Sequence, residues 1–299
     1  MLSGSRNAHL TLDSRVRDIV EHPLLREFGE RLLPREDNRR FYATPLRQIG
    51  SLMPYHGHVL PEVVVDALNR LIDNAGAGKT VFYEFYDDDQ KRADAAKADT
   101  GLFFYPGKEG APFAMICAGG GFEYVGSLHE GLPLAAAISN AGLNAFVLRY
   151  RIDERRATED LAAAIAFVLR NANAIGVDTK SYSLWGASAG GRMVGNIAVH
   201  GSPSYGGRDL PGPAVVIIAY TGQSTYSDAF PPAFIVVSAD DPIANVATVE
   251  RRVERLRNAG VEVEYHRFRT AGHGFGLGVG TDAEGWMEAA VRFWIAHPA

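Results

Sequence analysis

From about residue 80 to the C-terminus, short apolar runs alternate with longer segments in which apolar residues recur every three or four positions. The runs at 113–117 and 181–185 have the length and composition of buried strands. The segment 158–173 places Leu161 and Ile165 on one face, which predicts an amphipathic helix. Strands that alternate with helices predict the α/β class, with a doubly wound, mainly parallel sheet. The predicted strands span residues 81–86, 101–105, 113–117, 144–150, 181–185, 214–220, 234–238 and 261–268.

The first 80 residues have a different pattern. They carry many arginine and glutamate residues and several prolines, and helical spacing of apolar residues begins only after Pro61. Proline is favoured in the first turn of a helix, so we predict one helix from Pro61 to about residue 75. We therefore divide the chain into an N-terminal extension, 1–80, and an α/β domain, 81–299. The polar stretch 87–99 is predicted to be a hairpin connection between two strands.

Charge, cysteine content and the lack of long apolar runs argue against a nucleic-acid partner, an internal disulfide and membrane association. The net charge is −5 and is spread along the chain, so no nucleic-acid partner is expected, because such proteins favour a basic patch. The single cysteine, Cys117, excludes an internal disulfide. The N-terminus lacks the apolar core of a signal peptide, and no run of about 18 apolar residues is present. We therefore expect no membrane association and a cytoplasmic location, and homo-oligomer formation stays open.

Two segments partly match ligand-binding motifs. The segment 76–80 ends like a phosphate-binding loop, but Asp73 stands where that motif needs a glycine, and a helix precedes the segment instead of a strand. His56 and His58 form a His-Gly-His pair with no further ligand nearby in sequence. We therefore predict no metal site and no cofactor.

A serine between small residues follows the strand predicted at 181–185. The sequence Gly186-Ala187-Ser188-Ala189-Gly190 has the G-x-S-x-G pattern, in which the serine hydroxyl is held clear of the backbone at a sharp turn between strand and helix. The two glycines let the strand and the helix pass close to the serine. On its own this short pattern carries little information, and a small-residue loop that happens to contain a serine also fits it.

A serine nucleophile needs a base to accept its proton and an acid to orient that base. Two later predicted strands end beside suitable residues, because Asp240 and Asp241 follow the strand at 234–238 and His273 follows the last strand. In a doubly wound sheet, these side chains meet at the carboxyl edge of the strands. The position before Pro242-Ile243 favours Asp241 over Asp240 as the acid.

Together these motifs resemble the α/β-hydrolase superfamily, in particular its esterase/lipase branch of acetyl-esterase-like enzymes. The resemblance rests on 186–190, on the glycine-rich loop 118–122, on Asp241 and on Gly272-His273-Gly274-Phe275. It implies Ser188 as nucleophile, His273 as base and Asp241 as acid. It also implies an oxyanion hole formed by the N–H groups of Ala189 and of Gly120 or Gly121. One position departs from the pattern, because Ala118 stands where many relatives have histidine.

The resemblance predicts a serine carboxylesterase that hydrolyses short-chain acyl esters, with acetyl esters of carbohydrates as one option. A serine peptidase or amidase and a non-catalytic binding protein on the same fold are the alternatives. No lid domain fits between the strands at 214–220 and 234–238, so any cover over Ser188 must come from residues 1–80 or from another subunit. We expect the N-terminal extension, around 53–56, to pack near the active-site mouth. His129 and Glu130 either line the pocket or maintain its geometry. The predicted pocket residues are Phe122, Tyr124, His129, Tyr220 and Phe275.

Overall fold

One sheet of eight strands organises the computed structural model, which describes residues 8–35 and 37–298. The strand order is β1-β2-β4-β3-β5-β6-β7-β8; the pairs of β2 with β1 and with β4 are antiparallel, and all other pairs are parallel. The predicted doubly wound, mainly parallel sheet is therefore confirmed. The strands are β1 (Phe82–Tyr83), β2 (Gly101–Tyr105), β3 (Pro112–Cys117), β4 (Asn144–Arg149), β5 (Asp178–Ala187), β6 (Val215–Ala219), β7 (Ala233–Ser238) and β8 (Val263–Phe268).

Helices cover the sheet in two groups. They are α1 (Val16–Val20), α2 (Pro61–Gly76), α3 (Asp88–Ala93), α4 (Leu132–Asn140), α5 (Glu154–Ile175), α6 (Ala189–His200), α7 (Val246–Asn258) and α8 (Trp286–Ala296). Helix α4 packs against α2 and α8, whereas α5 packs against α6. Within the described ranges, none of these helices has the length and apolar character needed to cross a lipid bilayer.

Local sequence signals explain where the long helices begin and end. Pro61 opens α2, as predicted. The Asp153 side chain caps α5 by accepting a hydrogen bond of 2.9 Å from the backbone N–H of Arg156. Gly176 ends α5 with φ of 82°, a left-handed conformation that glycine adopts without steric cost.

The connection between β1 and β2 differs from the prediction. Strand β1 contains only Phe82–Tyr83, and the stretch 87–99 folds into α3 followed by a 3-10 helix, Ala95–Asp99. The reason is a capping box, in which Asp87 accepts from the Gln90 N–H at 2.8 Å and the Gln90 side chain accepts from the Asp87 N–H at 3.0 Å. These short-range hydrogen bonds start a helix where the polar composition alone indicated a turn.

The N-terminal extension lies against the sheet through short elements. In its described part, α1 and the 3-10 helices Gly29–Leu32, Arg39–Phe41 and Leu46–Leu52 precede α2, while residues 1–7 lie outside the described residues. Arg149 of β4 donates hydrogen bonds to the carbonyls of Leu33 at 2.8 Å and Pro34 at 3.1 Å. The extension also contributes buried side chains to the hydrophobic core that contains the sheet, among them Val16, Ile19, Leu32, Leu46, Ile49 and Met53.

Candidate active site

Ser188 occupies a strained turn between β5 and α6. Its φ of 51° and ψ of −114° are rare for any residue with a side chain. A Cβ atom on Gly186 would lie 2.4 Å from the Gly190 carbonyl oxygen, and one on Gly190 would lie 1.9 Å from the Cys117 carbonyl oxygen. Only glycine fits at both positions, which explains the G-x-S-x-G pattern sterically.

A chain of hydrogen bonds links Ser188, His273 and Asp241. The Ser188 Oγ lies 2.9 Å from His273 Nε2, and His273 Nδ1 lies 2.8 Å from Asp241 Oδ2. A carboxylate only accepts hydrogen bonds, so the His273 proton lies on Nδ1 and leaves Nε2 free to accept the serine proton. The Asp241 side chain is fully buried and that of His273 is only 6% exposed.

Asp240 points away from this chain. Its Oδ1 accepts hydrogen bonds from the Ser238 hydroxyl at 2.6 Å and the Gly272 N–H at 2.9 Å. Asp241 Oδ1, in contrast, accepts from the N–H groups of Ile243 and Ala244 at 2.8 and 2.7 Å, which orients the carboxylate toward the histidine. The geometry therefore pairs His273 with Asp241, the residue that the sequence favoured.

The glycine-rich loop 118–122 packs directly on the serine turn. A Cβ atom on Gly119 would lie 2.8 Å from Ser188 Cβ, so the two segments touch. Ala189 is the first residue of α6, and its N–H therefore has no acceptor within the helix. Gly120 and Gly121 have φ of 127° and 65°, conformations that favour glycine. These N–H groups are the predicted oxyanion donors.

The loop is braced without the histidine found in many relatives. The Tyr150 hydroxyl donates a hydrogen bond of 2.7 Å to the Ala118 carbonyl. On the other side, the Gly119 N–H donates to Glu130 Oε2 at 2.6 Å. Glu130 lies in a π-helical turn, Ser127–Gly131, that leads into α4. Such turns are frequent at functional sites.

Glu130 is a buried carboxylate with three hydrogen-bond donors. Besides the Gly119 N–H, it accepts from the Tyr220 hydroxyl at 2.9 Å, and His56 Nε2 lies 3.1 Å from its Oε2. Burial by itself raises the pKa of Glu130, but His56 and the surrounding hydrogen bonds outweigh burial and lower the pKa to about 2. Burial and the adjacent Glu130 charge raise the pKa of Tyr220 well above its ordinary value.

His129 is the second buried side chain of the π-helical turn. Its Nε2–H donates to the Gly274 carbonyl at 2.8 Å, and its ring makes an edge contact with the His56 ring at 5.5 Å. Burial, with a smaller contribution from His56, lowers the pKa of His129 to about 4. The sequence left two roles open for His129 and Glu130; both side chains are buried, and neither lines the cavity next to Ser188.

The cavity above Ser188 is small. Its volume is about 290 Å³. Phe122 and Tyr220, two of the predicted pocket residues, line it, and both have positive φ, 58° and 39°. A larger recess of about 690 Å³, lined by residues 26–31 and by part of 95–99, contains none of the candidate catalytic residues. The residues around the Ser188 cavity are Gly121, Phe122, Ser188, Ala189, Arg192, Tyr220, Thr221, Gly222, Ile243, Ala244 and His273.

The other three predicted pocket residues, Tyr124, His129 and Phe275, do not line this cavity. The Tyr124 hydroxyl lies 2.8 Å from His56 Nδ1, which turns the side chain away from the cavity. His129 turns inward to reach the Gly274 carbonyl. Phe275 is buried behind Tyr220 with its ring centroid 4.5 Å from the Tyr220 ring. Position after a strand end did not reveal which side of the loop each ring would occupy.

His56 belongs to the segment 53–56 that the sequence placed near the active-site mouth, but no contact of its side chain within the site was predicted. Its neighbours Glu130 and Tyr124 are about 70 positions away in the chain, so no local spacing indicated the contact.

Among the described residues, no three His, Cys, Asp or Glu side chains are grouped in a way that could hold a metal ion.

Comparison with curated proteins identifies one relative of partial length. The chain is 27% identical over 216 residues to endo-1,4-beta-xylanase B of Butyrivibrio fibrisolvens. The match covers 58% of this chain and 34% of that protein, so the chain spans about a third of its length. No family model matches the chain.

Several solved structures share the architecture. MGS-M1, an α/β-hydrolase enzyme from a deep-sea metagenome library, matches with a TM-score of 0.57 and 23% identity, over 66% of this chain and 92% of its own. An acetyl ester-xyloside bifunctional hydrolase from Caldicellulosiruptor lactoaceticus matches with a TM-score of 0.59 and 19% identity, over 66% and 88%. Esterase 2 of Thermogutta terrifontis matches with a TM-score of 0.59 and 19% identity, over 73% and 95%. The strand order, the turn at Ser188 and these matches together show that the chain has the α/β-hydrolase fold.

Proposed function

We propose that this protein is a serine carboxylesterase that hydrolyses short-chain acyl esters through an acyl-enzyme. The observation that supports the proposal most directly is the hydrogen-bonded chain from Ser188 through His273 to Asp241, with the serine facing a cavity. A strained serine, a base within hydrogen-bonding distance and a buried acid are what nucleophilic acyl transfer requires.

In the proposed reaction each of these groups has one step. Ser188 Oγ attacks the ester carbonyl while His273 Nε2 accepts the serine proton, and Asp241 stabilises the imidazolium that forms. The N–H groups of Ala189 and of Gly120 or Gly121 stabilise the oxyanion, and one such donor is typically worth about 3 kcal/mol of barrier. His273 then protonates the departing alcohol. Water, activated by the same histidine, hydrolyses the acyl-enzyme and regenerates Ser188.

The size of the site favours short acyl groups. The cavity of about 290 Å³ is at the lower limit of typical small-molecule pockets, which begin at about 300 Å³. Residues 220–232, between β6 and β7, contain no helix that could extend the pocket as a lid. Ile243, 57% exposed, and Phe122 form part of the rim.

Acetylated carbohydrates are the substrate class that we propose first. The similarity to an acetyl ester-xyloside hydrolase and to a xylanase supports this choice, together with the small cavity. The comparison concerns only part of the xylanase, so the esterase proposal rests on the site of this chain and does not include xylan cleavage.

A fluorophosphonate probe tests the proposal. We expect it to label the wild-type protein at Ser188 and to leave Ser188→Ala unlabelled, since the probe reacts with an activated serine. Rates for p-nitrophenyl acetate, butyrate and octanoate, and for acetylated xylose, should be highest for the acetyl esters. The proposal fails if the wild type is not labelled, or if aminoacyl amides are cleaved faster than every ester.

A further inference from the structure

Glu130 connects three segments that surround the proposed catalytic serine. Gly119 belongs to the loop 118–122, Tyr220 follows β6, and His56 belongs to the N-terminal extension. All three donate to one carboxylate whose side chain is only 1% exposed. Three donors from distant parts of the chain thus depend on a single buried charge.

The extension continues from His56 to the loop that carries the proposed base. The Gly57 N–H donates to the His273 carbonyl at 3.1 Å, and a Cβ atom on Gly274 would lie 2.9 Å from His56 Cα. On its other side, His56 Nδ1 contacts the Tyr124 hydroxyl at 2.8 Å. A Cβ atom on Gly121 would lie 3.3 Å from the Tyr55 ring, so the segment 53–58 is packed between the loop 118–122 and the histidine loop.

We propose that Glu130 and His56 are positioning residues for the ester hydrolysis proposed above, on which this inference rests. Their buried contact holds the oxyanion loop, through Gly119, at a defined distance from Ser188. The same contact anchors the segment 53–58, whose Gly57 holds the backbone of His273. In this proposal the N-terminal extension contributes His56 and Gly57 to the support of the active site.

The chemistry explains why a carboxylate is needed at this place. Glutamate offers two acceptor oxygens, and hydrogen bonds to a charged acceptor are stronger and shorter than those to a neutral one. Glutamine keeps the shape but removes the charge and replaces one acceptor oxygen by an amide donor, so the hydrogen bonds from Gly119 and His56 weaken and the one with Tyr220 must reverse or break. Preorganised donors contribute to catalysis only while they stay aimed at the developing oxyanion.

Glu130→Gln is the central variant, and Asp160→Asn is its matched control. Asp160 is also a buried carboxylate, hydrogen-bonded by Arg151 at 2.7 Å and by Tyr86 at 2.7 Å, but it touches none of the proposed catalytic groups. Each protein is titrated with the fluorophosphonate probe, and kcat and KM for p-nitrophenyl acetate are then expressed per labelled site. A loss of folded protein lowers the number of labelled sites, whereas mispositioning lowers kcat at each site.

We expect Glu130→Gln to lower kcat per labelled site by about tenfold or more and to change KM by less than about threefold. The reason is that the oxyanion donors act in the transition state and not on the bound substrate. Asp160→Asn should keep kcat per labelled site within about twofold of the wild type, whatever its effect on stability. His56→Ala should lower kcat in the same direction as Glu130→Gln. Combining the two substitutions should cost less than the product of their separate effects, because both break one contact.

The results separate the two proposals. If the wild type is not labelled at Ser188, the esterase proposal itself has failed. If the wild type is labelled and turns over esters, but Glu130→Gln and His56→Ala retain wild-type kcat per labelled site, the positioning role is refuted. It is also refuted if Asp160→Asn lowers kcat per labelled site as much as Glu130→Gln does. Should Glu130→Gln yield no folded protein, His56→Ala decides the question alone.

Discussion

Replacing His129 by glutamine should make the folded protein less sensitive to mild acid. The His129 ring is buried against Gly276, with His56, His58 and the carboxylate of Glu130 as its charged or titratable neighbours. Burial lowers its pKa from 6.5 to about 4, so the folded state holds the ring neutral. Glutamine cannot titrate, and its amide can still donate to the Gly274 carbonyl, which now receives the Nε2–H at 2.8 Å.

The sign follows from proton binding. The unfolded chain takes up a proton at His129 near pH 6.5, before the folded protein does, so acid favours unfolding. The stability that the neutral ring contributes is complete above pH 6.5 and is lost as the pH falls toward 4. The difference between 6.5 and about 4 corresponds to about 3 kcal/mol in total, of which about 2 kcal/mol is lost between pH 7 and pH 5.

Urea unfolding at pH 7 and pH 5 measures this effect. The fluorescence of Trp185, Trp286 and Trp294, all buried, reports the transition. The wild type should lose about 2 kcal/mol more of its unfolding free energy between the two pH values than His129→Gln does. The exposed His200 on α6 provides a matched control, and His200→Gln should follow the wild type. Equal losses in the wild type and His129→Gln would refute the reasoning.

Two further predictions concern the catalytic geometry and the serine turn. Asp241→Asn should lower kcat by about 10⁴-fold, because an amide no longer holds His273 in the tautomer that accepts the serine proton. Asp240→Asn should keep kcat within about tenfold of the wild type. Steady-state ester kinetics measure both variants, and the reverse ranking would make Asp240 the acid. Gly190→Ala places a Cβ atom 1.9 Å from the Cys117 carbonyl oxygen. It should lower the free energy of unfolding, measured in urea, by about 3 kcal/mol. A decrease below about 0.5 kcal/mol would contradict the steric argument.

Most of the sheet was predictable because its signals are local. Each buried strand is an apolar run with polar or glycine-rich flanks, and each long helix repeats its apolar residues with the helical period. The short 3-10 helices Gly29–Leu32 and Leu46–Leu52 give no such signal, since elements of about one or two turns are too short to establish a period. The helix α3 was missed for a related reason, because a capping box and not an apolar face starts it.

The serine turn is also predictable from the local sequence. Small residues on both sides of Ser188 are required by close backbone contacts within a few positions of the serine. Parallel strands then bring Asp241 and His273 to the same edge of the sheet as Ser188, because all three follow strand ends. The order of the motifs along the chain is therefore enough to group these three residues.

The sequence by itself determined the parallel strands, the glycine requirement at the serine turn and the order of Ser188, Asp241 and His273, the proposed nucleophile, acid and base, since each depends on backbone geometry over short stretches. Only the tertiary structure decided which aromatic rings border the cavity and that His56 reaches Glu130. Those contacts depend on the path of an extension with little periodicity, packed against loops far away in the chain. No spacing encodes such a path, because it results from the packing of the whole core.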